Sequence, residues 1–200
     1  MKREDLWSSV AEWCGRSLSV AQFQLLDRYR DWLLAEALPA GGIGPAELDK
    51  VDSRHIADSL LFATGLDQKV SQVADLGSGV GLPGIPLAIL MPDTRFRLID
   101  RSGRRVDLMR RVTRILDLDN VEISLDEIDQ LQQGFQAIVS RGTLSPDQAA
   151  LRFSPLLEPG GVVVIGGSWK QPPHHAGWET RHVPANVLGN DVWILIMRLS

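Results

Sequence analysis

From about Val70 onward the chain repeats one pattern: a short apolar run, a turn, then apolar positions at helical spacing. The apolar runs are Gln72–Leu76, Phe96–Asp100, Val121–Leu125, Ala137–Ser140 and Gly161–Ile165. Helical segments fall between them at about Gly84–Met91, Gly103–Leu116 and Pro146–Leu157. In the middle one, Val106, Met109, Val112 and Leu116 recur three or four residues apart, which places them on one buried stripe. Strands alternating with helices predict a parallel sheet covered on both faces, because parallel neighbours need a helix-length crossover. The end breaks the pattern. Val192–Met197 reads as a strand and Trp178–Val183 as another, with little helix between them, so an antiparallel strand or hairpin closes the sheet. The expected fold is α/β, doubly wound, with a mostly parallel Rossmann-like sheet.

The first third of the chain has a helical period instead. Trp7, Val10, Ala11 and Cys14 share one helix face, and Gly15 supplies a stop. Ser19 can cap a second helix, with apolar positions Val20, Phe23, Leu26, Tyr29, Leu33 and Ala37. Pro39–Pro45 holds two prolines and three glycines and breaks regular structure. A further helical stretch runs from about Ala46 to Phe62. Residues 1–65 are therefore read as a helical N-terminal extension packed on a domain formed by residues 66–200.

Candidate chemistry concentrates where the two halves meet. The first apolar run carries an acid at Asp75, and Gly77, Gly79, Gly81 and Gly84 follow before a helix resumes. A glycine-rich turn lets a ligand approach the backbone, and the next helix offers unpaired N–H groups. The spacing is one residue short of the dinucleotide fingerprint, and no Gly-Lys-Ser/Thr phosphate loop is present. Asp-x-Gly-x-Gly-x-Gly instead resembles the first motif of methyltransferases that use S-adenosylmethionine. Asp100 lies 25 residues beyond Asp75, at the carboxyl end of the second strand. There an acid accepts hydrogen bonds from ribose hydroxyls. The pair favours a nucleoside-bearing cofactor.

Composition narrows the class without naming a reaction. The chain has 200 residues, 44% hydrophobic and 23% charged, as in an ordinary globular protein. No apolar run reaches the roughly 18–20 residues of a membrane span, and the N-terminus lacks the apolar core of a signal peptide. Cys14 is the sole cysteine, which excludes an internal disulfide and suits a reducing cytoplasm. His174, His175 and His182 match no standard zinc spacing, so no metal is expected.

Net charge is −4, yet eight arginines face only Asp100 and Asp107 between Arg95 and Arg114. This reads either as a phosphate-facing patch or as a solvated helix face. His55, beside Arg54 and Asp58, reads as a packing or capping residue. Trp169, after the fifth strand, is a candidate for stacking on a base or for the core.

Four stretches, in one order, carry a resemblance. They are Arg54-His-Ile-Ala-Asp-Ser-Leu60, Asp75-Leu-Gly-Ser-Gly-Val-Gly-Leu-Pro-Gly-Ile-Pro-Leu87, Leu98-Ile-Asp-Arg-Ser-Gly-Arg-Arg105 and Val139-Ser-Arg141. Over about residues 20–170 the chain resembles the bacterial small-subunit ribosomal RNA methyltransferase G family, also called glucose-inhibited division protein B. The resemblance implies S-adenosylmethionine as cofactor and guanine N7 of small-subunit ribosomal RNA as acceptor. It implies a cofactor site at Asp75, Gly77, Gly79, Gly81, Leu82, Asp100, Asp126, Glu127 and Arg141. Within it, Gly77 and Leu82 would line the methionine end, Asp100 the ribose, and Asp126 with Glu127 the adenine. Arg141 is the one candidate for a part in catalysis, positioning substrate or balancing charge. Arg101, Arg104 and Arg105 are the candidate RNA contacts, and a cytoplasmic monomer is expected.

Guanine N7 carries a free lone pair, so the implied chemistry needs alignment rather than a general base. The chain departs from the family pattern on the acceptor side. Asp31-Trp-Leu-Leu and Pro39-Ala-Gly-Gly replace a Trp-Asn and an Asn-Leu-Thr, Ser-Arg-Gly142 replaces Ser-Arg-Ala, and Gly166-Gly167 replaces Lys-Gly. Three alternatives stay open: the same cofactor with another RNA or small-molecule acceptor, a non-catalytic ribosome-binding relative, and, disfavoured by glycine spacing, a nicotinamide oxidoreductase.

Overall fold

The computed structural model describes residues 2–132, 134–168 and 170–199. Among these, one sheet is built from β1 (Gln72–Leu76), β2 (Arg95–Asp100), β3 (Val121–Leu125), β4 (Phe135–Arg141), β5 (Leu157–Ser168), β6 (Glu179–Val183) and β7 (Val192–Arg198). Their spatial order is β3-β2-β1-β4-β5-β7-β6. Every pair from β3 to β5 is parallel, while β7 runs antiparallel between β5 and β6. The doubly wound sheet with an antiparallel end is the arrangement the strand pattern predicts. A four-residue helix, Ala185–Leu188, occupies the last connection, where little helix was expected.

Alternation along the strands assigns their side chains to two faces. Val73, Phe96, Leu98, Ala137, Val139, Val162, Val164, Ile194 and Ile196 share one packed cluster with Trp7, Leu26, Tyr29, Leu60 and Phe62. Ala74, Leu76, Ile99, Ile138, Val163, Ile165 and Leu195 pack on the other face with Ala149, Phe153 and Trp178. The N-terminal helices therefore cover one face of the sheet, together with α4 (Gly84–Leu90) and α5 (Gly103–Leu116). The opposite face is covered only in part. Between β3 and β4 the described chain makes just a 3-10 turn, Ile128–Gln130, so Arg97 and Glu122 remain beside a polar hollow. Helical cover of both faces thus fails over β2 and β3.

In the N-terminal region, α1 (Arg3–Trp13) ends before Gly15, whose φ is +71°. α2 (Val20–Trp32) starts on a capping box in which Ser19 Oγ accepts from Gln22 N–H and Gln22 Oε1 accepts from Ser19 N–H. Leu33–Ala37 continues α2 as a wide π-helical turn. The stretch expected to form one helix after Pro45 is instead a series of short turns. It runs as a 3-10 turn (Pro45–Lys50), a π-helical turn (Val51–Ala57), α3 (Asp58–Leu60) and a second 3-10 turn (Leu61–Gly65). The Ser59 hydroxyl donates to the His55 carbonyl four residues back, a bond that competes with the main-chain ladder. Downstream, α6 (Pro146–Phe153) stops earlier than Leu157, because Pro155 disfavours helical geometry at Ser154 and has no N–H to give.

Candidate active site

The strand order reverses between β1 and β4, the point at which open α/β sheets bind ligands beyond the strand ends. A cleft of about 850 Å³ opens there. One wall is the glycine loop with Asp100 and Arg101, and a second is the Asp126–Asp129 segment. Arg141–Leu144 form a third, and Gly42–Gly44 with His55 reach in from the N-terminal region.

The loop is fastened through its backbone. Gly77 and Ser78 both donate to the Ile99 carbonyl, at 2.9 and 3.1 Å, and Gly79 N–H donates to Asp100 Oδ2 at 2.9 Å. Gly79 has φ +66°, and a Cβ there would meet nothing within 4 Å, so this residue faces open space. Gly84 is the opposite case. A Cβ there would lie 2.7 Å from Asp75 Oδ2 and 2.9 Å from Leu98 Cγ.

Asp75, expected to touch the ligand, lies enclosed behind the loop. It is 0% exposed, and its Oδ2 accepts from the Ser78 hydroxyl and from Gly84 N–H at 2.8 Å. Burial pushes its carboxyl up to about 6, against the pull of Ser78, Gly84 and Arg141. It stands one residue before the end of β1, so its side chain points beneath the loop and ties it to α4. Gly81 is also turned inward, toward Ile85. Gly77, Gly79, Leu82, Asp100, Asp126, Glu127 and Arg141 do line the cleft.

Asp100 is only 3% exposed. Oδ2 takes Gly79 N–H and Oδ1 takes Ser102 N–H at 2.9 Å, while Arg105 Nη1 lies 3.5 Å from Oδ2. A carboxylate held this way by two amides keeps lone pairs for hydroxyl donors. Asp126 is braced by Arg97 at 3.2 Å and by the Ser124 hydroxyl, and Glu127 is exposed beside it. The set suits the ribose and base of a nucleoside-bearing cofactor.

The arginine cluster divides in two. Arg101 and Arg105 line the cleft mouth, with Arg104 exposed next to them. Farther along α5, Arg111 is paired with Glu36 at 2.8 Å and Arg110 lies 3.7 Å from Asp107. Trp169 lies outside the described residues.

Arg141 turns away from the cleft centre toward the N-terminal region. Its Nη1 donates to the Arg54 carbonyl at 2.9 Å and lies 3.3 Å from Ser59 Oγ and 3.9 Å from Asp58 Oδ2. Nη2 lies 3.5 Å from His55 Nδ1. Burial lifts Asp58 to about 6 despite Arg141 and Arg54, and burial lowers His55 to about 4, with Arg141 adding to the effect. Arg141 itself is pulled down from its ordinary value by burial. His55 is thus a neutral ring on the cleft wall, where the sequence suggested packing or capping. Its place in Arg54–Leu60, one of the four stretches of family resemblance, was the available signal.

The acceptor-side departures have local causes. Gly142 has φ +66°, a conformation an alanine adopts only with strain. A Cβ on Gly166 would lie 2.4 Å from Ile194 Cδ1, so β7 packs where a lysine side chain would begin.

A family model described as rRNA small subunit methyltransferase G matches residues 22–175. The chain belongs to this family. Relatives named ribosomal RNA small subunit methyltransferase G include one from Acidothermus cellulolyticus, 35% identical over 74% of this chain and 67% of its own length. One from Mycobacterium marinum is 35% identical over 68% and 61%. One from Mycobacterium leprae is 34% identical over 91% and 73%. The matches therefore span about two thirds of those relatives. Among solved structures, a SAM dependent methyltransferase from Aquifex aeolicus aligns with TM-score 0.57 at 16% identity, covering 79% of this chain and all of that one. This likeness concerns the fold.

Proposed function

We propose that this member of the methyltransferase G family transfers a methyl group from S-adenosylmethionine to N7 of a guanine in small-subunit ribosomal RNA. The observation that carries the reading is the Gly79–Asp100 hydrogen bond at the mouth of the cleft. It joins the glycine loop to a ribose-accepting carboxylate in a chain of this family. In this reading Gly77, Gly79 and Leu82 border the methionine end, Asp100 binds the ribose hydroxyls, and Asp126 with Glu127 flanks the adenine. Asp75 and Gly81 contribute by shaping the loop from behind.

S-adenosylmethionine supplies an electrophilic methyl group on sulfur. The attacking N7 already carries its lone pair, so the residues of the chain have no proton to remove before transfer. Their task is alignment, which contributes several kcal/mol when a nucleophile and its target are held in line. In this reading Arg141 lies between cofactor and acceptor, where it orients the acceptor or balances charge. Arg101, Arg104 and Arg105 at the cleft mouth offer contacts to RNA phosphates.

Mass spectrometry of ribosomal RNA nucleosides, with and without the gene, tests the acceptor. Loss of one N7-methylguanosine on deletion is expected, and an unchanged profile would sink the proposal. Calorimetry tests the cofactor: wild type should bind S-adenosylmethionine and Asp100→Ala should bind it at least tenfold more weakly. The absence of the family's lysine at Gly166 favours a second reading, the same cofactor with a different acceptor. Methyl transfer to cell-extract fractions but not to isolated small subunits would select it.

A further inference from the structure

Arg141 crosses from the end of β4 into a pocket made by a segment more than 80 residues earlier in the chain. Its guanidinium meets a carbonyl, a hydroxyl, a carboxylate and an imidazole there, all from Arg54–Ser59. Among the described residues its Nε has no hydrogen-bond partner, while Arg141 itself lines the cleft. These four contacts engage both terminal nitrogens and so fix the place of the guanidinium at the cleft wall.

Asp58 is the least expected member of this set. It is 3% exposed, its Oδ2 stays 3.9 Å from Arg141, and its Oδ1 is buried without a hydrogen-bond partner. A buried carboxylate with one orphan oxygen gains little stability from so distant a cation. An apolar residue would fill the space at no such cost, so stability does not account for an acid at this position. The imidazole of His55 completes the arrangement: its Nδ1 faces Arg141, and its Nε2 lies 3.8 Å from Glu47 Oε2. His55 lies in the wide π-helical turn Val51–Ala57 and Asp58 follows it directly; such a distortion is often found at functional sites.

We propose that Asp58 and His55 are positioning residues for methyl transfer, holding Arg141 in place so that it and the adjoining Gly142–Thr143 backbone form the acceptor wall of the cleft. This rests on the methyl transfer to small-subunit RNA proposed above. Steady-state methylation of isolated small subunits by the full chain tests it, using Asp58→Asn, Arg141→Lys and the double variant. Asp58→Asn should lower kcat at least tenfold with KM for S-adenosylmethionine changed less than twofold. The double variant should lose no more than the weaker single variant, because both changes act through one group. Losses that multiply in the double variant, or an Asp58→Asn enzyme with normal kcat, would overturn the positioning role while leaving the methyltransferase reading intact. A wild-type chain that methylates no small subunit overturns both. If Asp58→Asn does not fold, His55→Gln with Arg141→Lys runs the same cycle, with the same two outcomes deciding it.

Discussion

The two sides of the cleft are built on different length scales. On the side proposed for the cofactor, Asp75 is bonded by Ser78 and Gly84 within ten residues of sequence, and Gly79 reaches Asp100 across one βαβ unit. On the side proposed for the acceptor, Arg141 meets Arg54, His55, Asp58 and Ser59, more than 80 residues earlier in the chain, across a face covered by the N-terminal helices. The first side depends on backbone conformation, which a handful of glycines can specify. The second depends on where a buried guanidinium finds partners. Substitutions should accordingly act in different ways: through fit and φ on the cofactor side, and through charge and protonation on the other.

The largest expected effect lies behind the glycine loop. Gly84→Val would force a Cβ against Asp75 Oδ2 and Leu98, displacing the carboxylate that ties the loop to α4. Overpacking plus a lost buried hydrogen bond should cost about 3–4 kcal/mol. Urea unfolding should show the loss, and S-adenosylmethionine binding should vanish with it. A variant of wild-type stability would mean that the loop tolerates the contact.

On the acceptor side the comparable effect depends on pH. His55 titrates near 4 in the folded protein, below its ordinary 6.5, so the unfolded chain binds the proton first as pH falls. Its contribution to stability is complete above about 6.5 and is lost as pH drops toward 4, by of order 3 kcal/mol. Asp58 and Asp75, raised to about 6, work with the opposite sign: each favours the fold below about 4 and loses that contribution as pH rises to 6. His55→Gln should therefore leave a protein whose stability falls more steeply from pH 4 to 6.5 than wild type. Unfolding free energies at pH 4.5, 5.5 and 7 would check this, and parallel curves would remove the imidazole from the account.

A smaller effect separates RNA contact from cofactor contact. Arg105 lies 3.5 Å from Asp100, so reversing its charge would disturb both sides of the cleft. Arg101→Glu with Arg104→Glu is the cleaner pair. It should weaken binding to small-subunit RNA by roughly tenfold at low salt and flatten the salt dependence, while calorimetry finds cofactor affinity unchanged. Unaltered RNA affinity would return these arginines to an ordinary solvated face. The smallest expected change is Gly142→Ala, which restores the family's Ser-Arg-Ala. Its φ of +66° should cost about 1 kcal/mol in unfolding experiments, although open space surrounds the position.

Legibility from sequence followed the same division. Strands β1 and β3 and helix α5 match their expected bounds residue for residue, because a period of two or of 3.6 is a local property. The single helix expected after Pro45 was not there. Helical spacing cannot distinguish an α-helix from a succession of 3-10 and π turns; here those turns pack against α1, α2 and β5. Asp75 was legible as an important acid, but its direction was not, since one strand position decides whether a side chain meets ligand or lies beneath the loop.

Sequence alone determined the parallel sheet, the antiparallel end, the glycine loop, the acid at the end of β2 and the family. Each is a matter of local periodicity or of residue types at short spacing. Tertiary structure decided that Asp75 supports the loop from behind, that Arg105 leans on Asp100, and that β7 fills the space beside Gly166. It also decided that His55 and Asp58 close around Arg141. Those outcomes depend on which distant surfaces meet when the N-terminal helices cover the sheet, and burial then sets the charge of the groups they enclose.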